Sequence, residues 1–493
     1  MKVLAIDLGA SSGRLILGEY NGSFSLTEIH RFENIPIENI EGQQLPGHLH
    51  WDIETIFGEI KTGIKKCARL SHDIQSISVD TWGCDFALLD ANGEIIHSPL
   101  HYRDKLTEGN IMEEVFNIIP KETLYKKTGI EFMRFNTIFQ LYALKKLHPE
   151  IFEKADKILF MPDLFGYLLT GIAACEYTIA STSGLINLQT KQADAEILNK
   201  LGIEPALFGN ICKPGTLLGT LKSELARELG VRQINIITGA GHDTADAVVA
   251  APIIGTESCF ISCGTWSLLG TECTTPNTGN DAYNFNFTNE GGYNDKILFL
   301  KNISGLWLLQ ESRRWWIQEG EDISFSQISE GIKKNKSPDV YIDVEREEFG
   351  SPGNLPFLFN KYFEVTEQRQ LPGITFSEKI DIAQCILESL SLSYNYRIGQ
   401  LEQITGKEFS AINIIGGGTK DINLMQYTAN ATEKKIITGP VEATALGNII
   451  IQLIFAGVIK NTNEAREKIT GIKTYLPRDE DIWSLKREKY IVT

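Results

Sequence analysis

The sequence predicts an α/β protein built from two related domains. At 493 residues, the chain is longer than one hydrophobic core usually organises. A short apolar strand, a turn of small residues and a second strand occupy residues 2–20, and the same succession returns at residues 258–270. Apolar strands followed by glycine clusters and helix-like segments occur at residues 234–250 and 412–431. The half-chain spacing of the two hairpins predicts two domains, each beginning with its own hairpin, that flank a central cleft.

Composition and charge restrict the partners that we expect for this chain. Hydrophobic residues make up 42% and charged residues 22%, which is typical of a soluble globular enzyme. Lys plus Arg number 47 against 63 Asp plus Glu, so the formal net charge is −16. Such a chain repels polyanions at long range, and we expect neither nucleic acid nor membrane as a partner. Small anionic ligands remain possible, because glycine-rich turns offer local N–H dipoles.

Several features favour a cytoplasmic location. Asp7 interrupts the first apolar run before the core of a signal peptide would be complete. The longest apolar region, residues 445–459, is short for a membrane span and contains Asn448 and Gln452, so it predicts a buried helix. The eight cysteines form no dense disulfide framework, and we interpret them as reduced residues.

The first hairpin has a carboxylate at its mouth. Asp7 ends the first apolar strand, and the turn that follows offers N–H groups and the hydroxyls of Ser11 and Ser12. These groups suit a phosphate or a metal-bound phosphate. A plain glycine hairpin is the alternative interpretation.

The stretch near the midpoint of the chain contains the first candidate for an acid or base. The apolar run 234–237 predicts a buried strand, and we expect it to end in a glycine turn that carries Asp243 and leads into a helix from about Ala247. Ligands of open α/β sheets bind just past the carboxyl ends of strands. Asp243 is therefore a candidate catalytic group, with a helix N-cap as the alternative.

Two further glycine turns suggest phosphate or nucleotide binding. The second hairpin turns at residues 263–265, and Gly416-Gly417-Gly418 stand between an apolar strand and the helix-like residues 422–431. This order of strand, glycine turn and helix is typical of nucleotide sites. The chain contains neither a P-loop nor a dinucleotide fingerprint.

Two other segments of the sequence are candidate ligand contacts. Residues 77–90 predict two strands around a polar turn, where Trp82 beside Gly83 is either a sugar-stacking wall or simply a core residue. Residues 289–292, Asn-Glu-Gly-Gly, form another loop that could reach a ligand.

Taken together, these motifs resemble the FGGY carbohydrate kinases, members of the actin-like and hexokinase-like ATPase superfamily. The resemblance covers essentially the whole chain, and its specificity lies in Asp-Leu-Gly-Ala-Ser-Ser-Gly-Arg from Asp7, Asp-Thr-Trp-Gly from Asp80 and His-Asp-Thr from His242, in that order. It implies two ribonuclease-H-like domains with ATP and sugar between them. We expect residues 1–246 to be mainly sugar-binding and residues 247–493 mainly ATP-binding.

The resemblance also implies an activity, the ATP-dependent phosphorylation of a ketose. The whole-chain match implies L-rhamnulose, phosphorylated at O1, with L-fuculose or another ketose as the alternative acceptor. An actin-like ATPase without sugar kinase activity and a non-enzymatic sugar-binding regulator are the alternatives from other classes. The oligomeric state is left open.

Residue by residue, the resemblance assigns roles to positions of this sequence. It makes Asp243 the base that accepts the sugar hydroxyl proton, and it places Asp7 near Mg²⁺, through water. The expected sugar contacts are Gly83, His242, Asp243, Thr244 and Asn302. The expected ATP contacts are Ala10, Ser11, Ser12, Gly13, Arg14, Thr265, Gln310 and Gly417. One departure is Asp421, where relatives often have Asn, which puts the contact to adenine or ribose in doubt.

Overall fold

The computed structural model describes residues 1–38, 45–253, 255 and 257–490. The chain divides into two compact units, and the predicted two-part α/β organisation is confirmed. Unit 1 comprises Met1–Ala250, Glu272–Phe299 and Ala443–Ile469. Unit 2 comprises Ala251–Thr271, Leu300–Glu442 and Thr470–Thr493.

The main sheet of unit 1 has six strands, and both strands of the predicted N-terminal hairpin lie inside it, next to the edge strand Phe24–Glu33. The spatial order of the six strands is Thr216–Thr220, Asn235–His242, Ile74–Thr81, Lys2–Leu8, Ser12–Tyr20 and Phe24–Glu33. The second, third and fourth strands of this order run parallel, and the remaining pairs are antiparallel. Residues 3–6 are fully buried, as expected for an apolar strand inside a covered sheet.

Smaller strand pairs and helices complete unit 1. The pairs are Ile37–Glu38 with Leu49–His50, Phe86–Asp90 with Ala155–Phe160, and Cys175–Glu176 with Ile211–Cys212. The helices of eight residues or more are Ile53–Leu70, Ile111–Ile118, Lys121–Thr128, Thr137–Leu147, Met161–Thr170 and Ala443–Phe455. The shorter helices are Pro149–Phe152, Tyr177–Ser181, Ala195–Lys200, Ser223–Leu229, Asp243–Val249, Asn280–Asn284 and Thr462–Glu467, with 3₁₀ turns at Lys105–Thr107 and Pro205–Phe208. Strand Thr288–Gly291 also lies in this unit, and strand Ile297–Ser304 follows it in the chain.

The first long helix shows how the sequence specifies these elements. Helix Ile53–Leu70 buries Ile53, Ile56, Ile60 and Ile64, whose spacing of three to four residues places them on one face. Asp52 caps its first turn by accepting a hydrogen bond from the amide of Thr55 at 3.0 Å. The helix therefore packs its apolar face against the sheet.

Helix Ala443–Phe455 confirms the buried helix predicted near the C-terminus. It packs against the three parallel strands of unit 1, which is why a segment so late in the sequence belongs to this unit. A Cβ at Gly447 would lie 1.7 Å from the carbonyl oxygen of Asp246, so only glycine permits this close approach to helix Asp243–Val249. Among the described residues, no helix is long and apolar enough to cross a membrane.

The sheet of unit 2 repeats the pairing pattern of unit 1. Five neighbouring strands of this seven-stranded sheet follow the order Trp266–Cys273, Ser258–Cys263, Ala411–Ile415, Lys435–Thr438 and Lys473–Tyr475. In both sheets an antiparallel hairpin is followed by two parallel pairings and an antiparallel edge strand. This shared order confirms the prediction of two related domains.

The helices of unit 2 include the longest in the described chain. They are Trp307–Gln318, Phe325–Lys334, Leu355–Val365, Phe376–Thr405, Ile422–Thr432 and Glu480–Lys489, with 3₁₀ turns at Glu347–Phe349 and Gly417–Lys420. Helix Phe376–Thr405 begins with a capping box formed by Thr375 and Glu378 and ends at Gly406, whose φ of 64° terminates it.

Candidate active site

The carboxyl ends of three parallel strands bring Asp7, Asp80 and His242 to one edge of the unit 1 sheet. In the strand register, Asp7 lies opposite Asp80, and His242 lies opposite Thr81. Ligands of α/β sheets bind at this edge. Three sequence-distant motifs therefore converge where a ligand is expected.

The glycine-rich segment before Asp243 is not a turn, so this sequence prediction was wrong. Strand Asn235–His242 continues through Gly239 and Gly241, and helix Asp243–Val249 begins directly after it. A Cβ at Gly239 would lie 2.7 Å from Oγ of Ser78, so this glycine serves close packing rather than chain reversal. His242 is the N-cap residue, which excludes the N-cap interpretation of Asp243.

His242, Asp243 and Thr244 lie together at this junction of strand and helix. Nε2 of His242 is 3.5 Å from Oδ1 of Asp243, and the hydroxyl of Thr244 donates to the same oxygen at 3.2 Å. The side chain of Asp243 is 33% exposed, whereas that of His242 is 7% exposed. The carboxylate is therefore accessible to a ligand, and the ring beside it is held in the interior.

Both groups have shifted proton affinities. Burial raises the pKa of Asp243, and the neighbouring His242 and the Thr244 hydrogen bonds oppose that rise without cancelling it. Burial alone would lower the pKa of His242, but the contact with Glu290 and the charges of Glu290, Asp243 and Glu176 outweigh it, so the pKa is raised. A carboxylate with a raised pKa is better suited to accept a proton near neutral pH.

Glu290 is a site residue whose role the sequence did not reveal. The Asn-Glu-Gly-Gly segment predicts a loop that could reach a ligand, but the structure places Glu290 on strand Thr288–Gly291. Its Oε2 lies 3.2 Å from Nδ1 of His242, and both side chains are buried. No spacing rule connects two residues 48 positions apart, so only the tertiary structure could find this pair.

A chain of buried hydrogen bonds, here called the polar ladder, connects helix Ala443–Phe455 to strand Ile74–Thr81 of the same sheet. Ser76 donates to Oε1 of Gln452 at 2.7 Å, Gln452 donates to Oδ1 of Asn448 at 2.8 Å, and Asn448 donates to Oδ2 of Asp80 at 2.7 Å. Burial raises the pKa values of Asp80 and Asp246 well above the usual range of an aspartate, and the negative charges of neighbouring carboxylates raise them further. Asn448 and Gln452, which identified the C-terminal helix as non-membrane in the sequence, are the side chains that reach this ladder.

The predicted ATP contacts Ala10 to Arg14 form the N-terminal hairpin. Gly9 donates its amide to the carbonyl of Ser12 at 3.0 Å, which closes the turn, and Ser11 is exposed at its tip. Nη2 of Arg14 lies 2.8 Å from Oδ2 of Asp7, so the guanidinium group on the second strand of the hairpin pairs with the carboxylate on the first. A Cβ at Gly13 would lie 2.2 Å from the ring of Phe32, so the glycine is required by packing within the protein.

Gly83 is brought next to His242. A Cβ built on Gly83 would lie 3.4 Å from Oγ1 of Thr182 and 3.7 Å from Nε2 of His242. Trp82 is 6% exposed and packs on Trp51 with ring centroids 4.1 Å apart, which favours the core interpretation of this residue over the sugar-stacking one. Of these two residues, only Gly83 therefore remains a candidate ligand contact.

The turn after Gly83 is strained and firmly held. Cys84 has a φ of 75° and the amide of Asp85 donates to the carbonyl of Gly83 at 3.0 Å, the pattern of a γ-turn of the rarer kind. The carboxylate of Asp85 accepts hydrogen bonds from the indoles of Trp51 and Trp82 at 2.7 and 2.9 Å. These bonds fix the backbone conformation that presents Gly83.

In unit 2, Thr265 and Gln310 are brought together. The hydroxyl of Thr265 donates to Oε1 of Gln310 at 3.2 Å, and the carbonyl of Thr265 accepts from the amide of Trp307 at 3.1 Å. A Cβ at Gly305 would lie 2.6 Å from the backbone of Trp266, so the second hairpin and the start of helix Trp307–Gln318 interlock closely. Asn302 lies half-buried on strand Ile297–Ser304 of the same chain segment.

Gly417 lies in the predicted glycine turn of unit 2. Strand Ala411–Ile415 is followed by the 3₁₀ turn Gly417–Lys420 and then by helix Ile422–Thr432, so the predicted order is confirmed. A Cβ at Gly417 would meet no atom within 4 Å, whereas one at Gly418 would lie 2.2 Å from Sγ of Cys263. Asp421 caps the helix by accepting from the amides of residues 423 and 424, a role that Asn fills equally well.

Among the carboxylates of unit 1, Asp7 is the candidate metal contact. Within the described ranges, no group of three or more His, Cys, Asp or Glu side chains is arranged to hold a metal ion. Asp7 is already paired with Arg14 through Oδ2. Mg²⁺ commonly retains several waters and is bound by one or two carboxylates plus substrate phosphates, so a site of this sparse kind is compatible with these residues.

Comparison with known protein families agrees with this arrangement across both units. Residues 2–250 match the model of the N-terminal domain of the FGGY family of carbohydrate kinases, and residues 259–456 match that of its C-terminal domain. The chain is 43% identical over 483 residues to the rhamnulokinase of Halalkalibacterium halodurans, covering 97% of this chain and 99% of that protein. It is 38% identical to the rhamnulokinase of Bacillus subtilis, covering 97% and 96%.

Solved structures of sugar kinases share the fold. A ligand-bound xylulose kinase from Lactobacillus acidophilus superposes with a TM-score of 0.80 at 19% identity, covering 99% of this chain and 96% of that one. A glycerol kinase from Plasmodium falciparum with ADP superposes with a TM-score of 0.75 at 16% identity, covering 99% and 96%. With both family models and full-length relatives in agreement, the chain belongs to the FGGY family of carbohydrate kinases.

Proposed function

We propose that this protein is an ATP-dependent kinase that phosphorylates L-rhamnulose at O1, giving L-rhamnulose 1-phosphate and ADP. The observation that carries the proposal is Asp243, a partly exposed carboxylate at the ligand-binding edge of the sheet, beside His242 and Gly83. Full-length similarity to proteins named rhamnulokinase supports the choice of acceptor. The shared fold with a glycerol kinase solved with ADP supports the nucleotide.

In the proposed mechanism, Asp243 accepts the proton of the O1 hydroxyl as that oxygen attacks the γ-phosphoryl group of ATP. Phosphoryl transfer asks the protein mainly to align the reactants and to stabilise the spreading charge, so the base acts late. The raised pKa of Asp243 keeps the carboxylate basic enough for this role. A positioned general base contributes about 10²- to 10⁴-fold in rate.

The acceptor is recognised by polar groups around Asp243. His242, Thr244 and the backbone of Gly83 lie near Asp243 in unit 1, and Asn302 is proposed as a further contact from unit 2. Buried polar groups reject an acceptor with a misplaced hydroxyl strongly, because one partner is left unpaired. L-fuculose differs from L-rhamnulose in hydroxyl stereochemistry, so we expect it to react more slowly.

The nucleotide contacts are proposed in both units. Thr265, Gln310 and Gly417 lie in unit 2. Ala10 and Ser11 lie in the hairpin turn of unit 1, and Ser12, Gly13 and Arg14 begin its second strand. In this assignment unit 1 carries most acceptor contacts, and both units contribute contacts to the nucleotide. Mg²⁺ would neutralise the phosphates when bound, and Asp7 would hold it through water because Arg14 already occupies Oδ2.

The proposed cellular setting is the cytoplasm, where ATP is available. All eight cysteines are free thiols, in agreement with a reducing compartment. The net charge of −16 argues against nucleic acid and anionic membranes as partners.

A coupled ADP-release assay over a panel of acceptors tests the proposal. kcat/KM is measured for L-rhamnulose, L-fuculose, L-ribulose, D-xylulose and glycerol at fixed ATP and Mg²⁺, and the product is checked for phosphate on O1. We expect L-rhamnulose to be preferred. A tenfold preference for L-fuculose or D-xylulose, about 1.4 kcal/mol in the opposite direction, would reject the acceptor while keeping the kinase. ATP turnover that is independent of any acceptor would reject the kinase itself.

A further inference from the structure

We propose that Glu290 is a positioning residue of the acceptor site, which fixes the ring orientation and the Nδ1 proton of His242 so that Nε2 faces Asp243. This inference rests on the proposed function, because it assigns His242 to the acceptor. The two contacts lie on opposite sides of one ring: Nδ1 is 3.2 Å from Oε2 of Glu290, and Nε2 is 3.5 Å from Oδ1 of Asp243. An imidazole whose two nitrogens face two carboxylates has a single orientation.

Burial makes the contact with Glu290 decisive for His242. The side chains of Glu290 and His242 are 6% and 7% exposed. In the part of the chain that the structure describes, Oε2 of Glu290 and Nδ1 of His242 have no hydrogen-bond partner of standard geometry, and the two atoms lie 3.2 Å from each other. A buried polar atom without a partner is costly, so the ion-pair contact between these two groups is the interaction that stabilises both of them.

Glu290 is itself held in place by its neighbours in the chain. The amide of Asn289 donates to the carbonyl of Gly129 at 2.9 Å, and the amide of Gly291 donates to Oγ of Ser181 at 2.7 Å. A Cβ at Gly291 would lie 2.7 Å from the ring of Tyr177, so the strand is pressed against helix Tyr177–Ser181. With both flanking residues fixed, the carboxylate of Glu290 has a defined position.

The charges around His242 determine its protonation. Glu290 faces the ring from strand Thr288–Gly291, Glu176 from the end of strand Cys175–Glu176, and Asp243 from the helix that follows His242. Burial opposes the positive charge, and these three carboxylates together raise the pKa of the ring. Removing the charge of Glu290 removes the contribution that lies nearest to Nδ1, so the pKa of His242 falls.

The test uses Glu290→Gln, which keeps the size of the side chain and removes its charge. ¹⁵N NMR of the imidazole groups of the full-length enzyme reports the protonation of His242. The chain has eight histidines, and the signal of His242 is identified as the one that is missing in His242→Gln. We expect a lower pKa for His242 in Glu290→Gln. We also expect KM for L-rhamnulose to rise about 10- to 100-fold at pH 7, in the range of a lost hydrogen bond to a charged group, with KM for ATP unchanged.

Two further measurements separate positioning from a general loss of structure. Lowering the pH below the new pKa of His242 restores the charged ring, so KM for L-rhamnulose in Glu290→Gln should recover towards the wild-type value. Asp295→Asn is the matched control, because it makes the same carboxylate-to-amide change four residues beyond Gly291 on a side chain that pairs with Lys191 and Lys213. It should leave both KM values unchanged.

The outcomes distinguish this inference from the proposed function. An unchanged pKa of His242 in Glu290→Gln overturns the inference, whatever the enzyme acts on. A lowered pKa with an unchanged KM for L-rhamnulose also overturns it, since the ring then does not serve the acceptor. If the wild-type enzyme does not phosphorylate L-rhamnulose, the proposed function fails. The inference is then overturned as well, because it requires His242 to serve that acceptor, even if the NMR experiment shows a lowered pKa.

Discussion

Replacing Gly417 with valine should weaken ATP binding and leave the fold intact. A Cβ at this position would meet no protein atom within 4 Å, and the φ of Gly417 lies outside the left-handed region. Alanine is therefore tolerated in the free protein and should raise the free energy of unfolding by about 0.4–1 kcal/mol, because it reduces the freedom of the unfolded chain. The space beside Gly417 is where the proposed nucleotide lies, so a larger side chain competes with it.

The magnitude follows from the cost of overpacking. Added methyl groups in a well-filled site cost about 1–3 kcal/mol, which corresponds to roughly 5- to 150-fold weaker ATP binding. Calorimetry gives the Kd for ATP, and urea unfolding gives the stability of Gly417→Ala and Gly417→Val. Gly13 and Gly418 are unsuitable for this test, since a Cβ at either would lie 2.2 Å from Phe32 or Cys263 and disturb the protein itself. An ATP Kd within twofold of wild type in both Gly417 variants would refute the placement of the nucleotide at this turn.

Three further predictions address the base, the buried ladder and pH. Asp243→Asn should lower kcat by at least about 100-fold in the ADP-release assay with little change in ATP affinity, and more than a tenth of wild-type kcat would contradict its role as general base. Asn448→Leu should lower the free energy of unfolding by about 2–4 kcal/mol in urea, since it removes the hydrogen bonds that Asn448 makes with Asp80 and Gln452, whereas Ile449→Val should cost only about 0.5–1.5 kcal/mol; equal losses would argue against the ladder. Burial raises the pKa of Asp85 to about 7, above the roughly 3.9 of an unfolded Asp, so its contribution to stability is complete below the unfolded value and is lost as the pH rises through 7. The stability difference between wild type and Asp85→Asn should therefore shrink by about 2 kcal/mol between pH 5 and pH 8 in urea unfolding, and a constant difference would exclude this titration.

Local patterns in the sequence were sufficient for the elements and for much of the site. Apolar runs around a turn of small residues predicted both hairpins, and the apolar region 445–459 predicted the buried helix that the structure has at Ala443–Phe455. The order of strand, glycine turn and helix around Gly417 was also correct, because each element is specified by a contiguous run of residues. Periodicity carries this information without reference to the rest of the chain.

Local reading failed where a residue's role depends on a distant neighbour. Gly239 and Gly241 predicted a turn, yet they continue a strand, and they are glycines because Ser78 and Glu176 leave little room for a Cβ. Trp82 beside Gly83 suggested a sugar wall, but Trp51 covers it. In each case the deciding contact comes from a part of the sequence more than 30 residues away.

The sequence by itself thus determined which segments become strands, hairpins and helices, and which motifs resemble a kinase. Only the tertiary structure decided that helix Ala443–Phe455 belongs with the N-terminal sheet and that Glu290 faces His242. The physical reason is the range of the forces involved. Hydrophobic periodicity and capping act within a few residues of the chain, whereas the pairing of buried polar groups is set by what the folded backbone places beside them, at any separation in sequence.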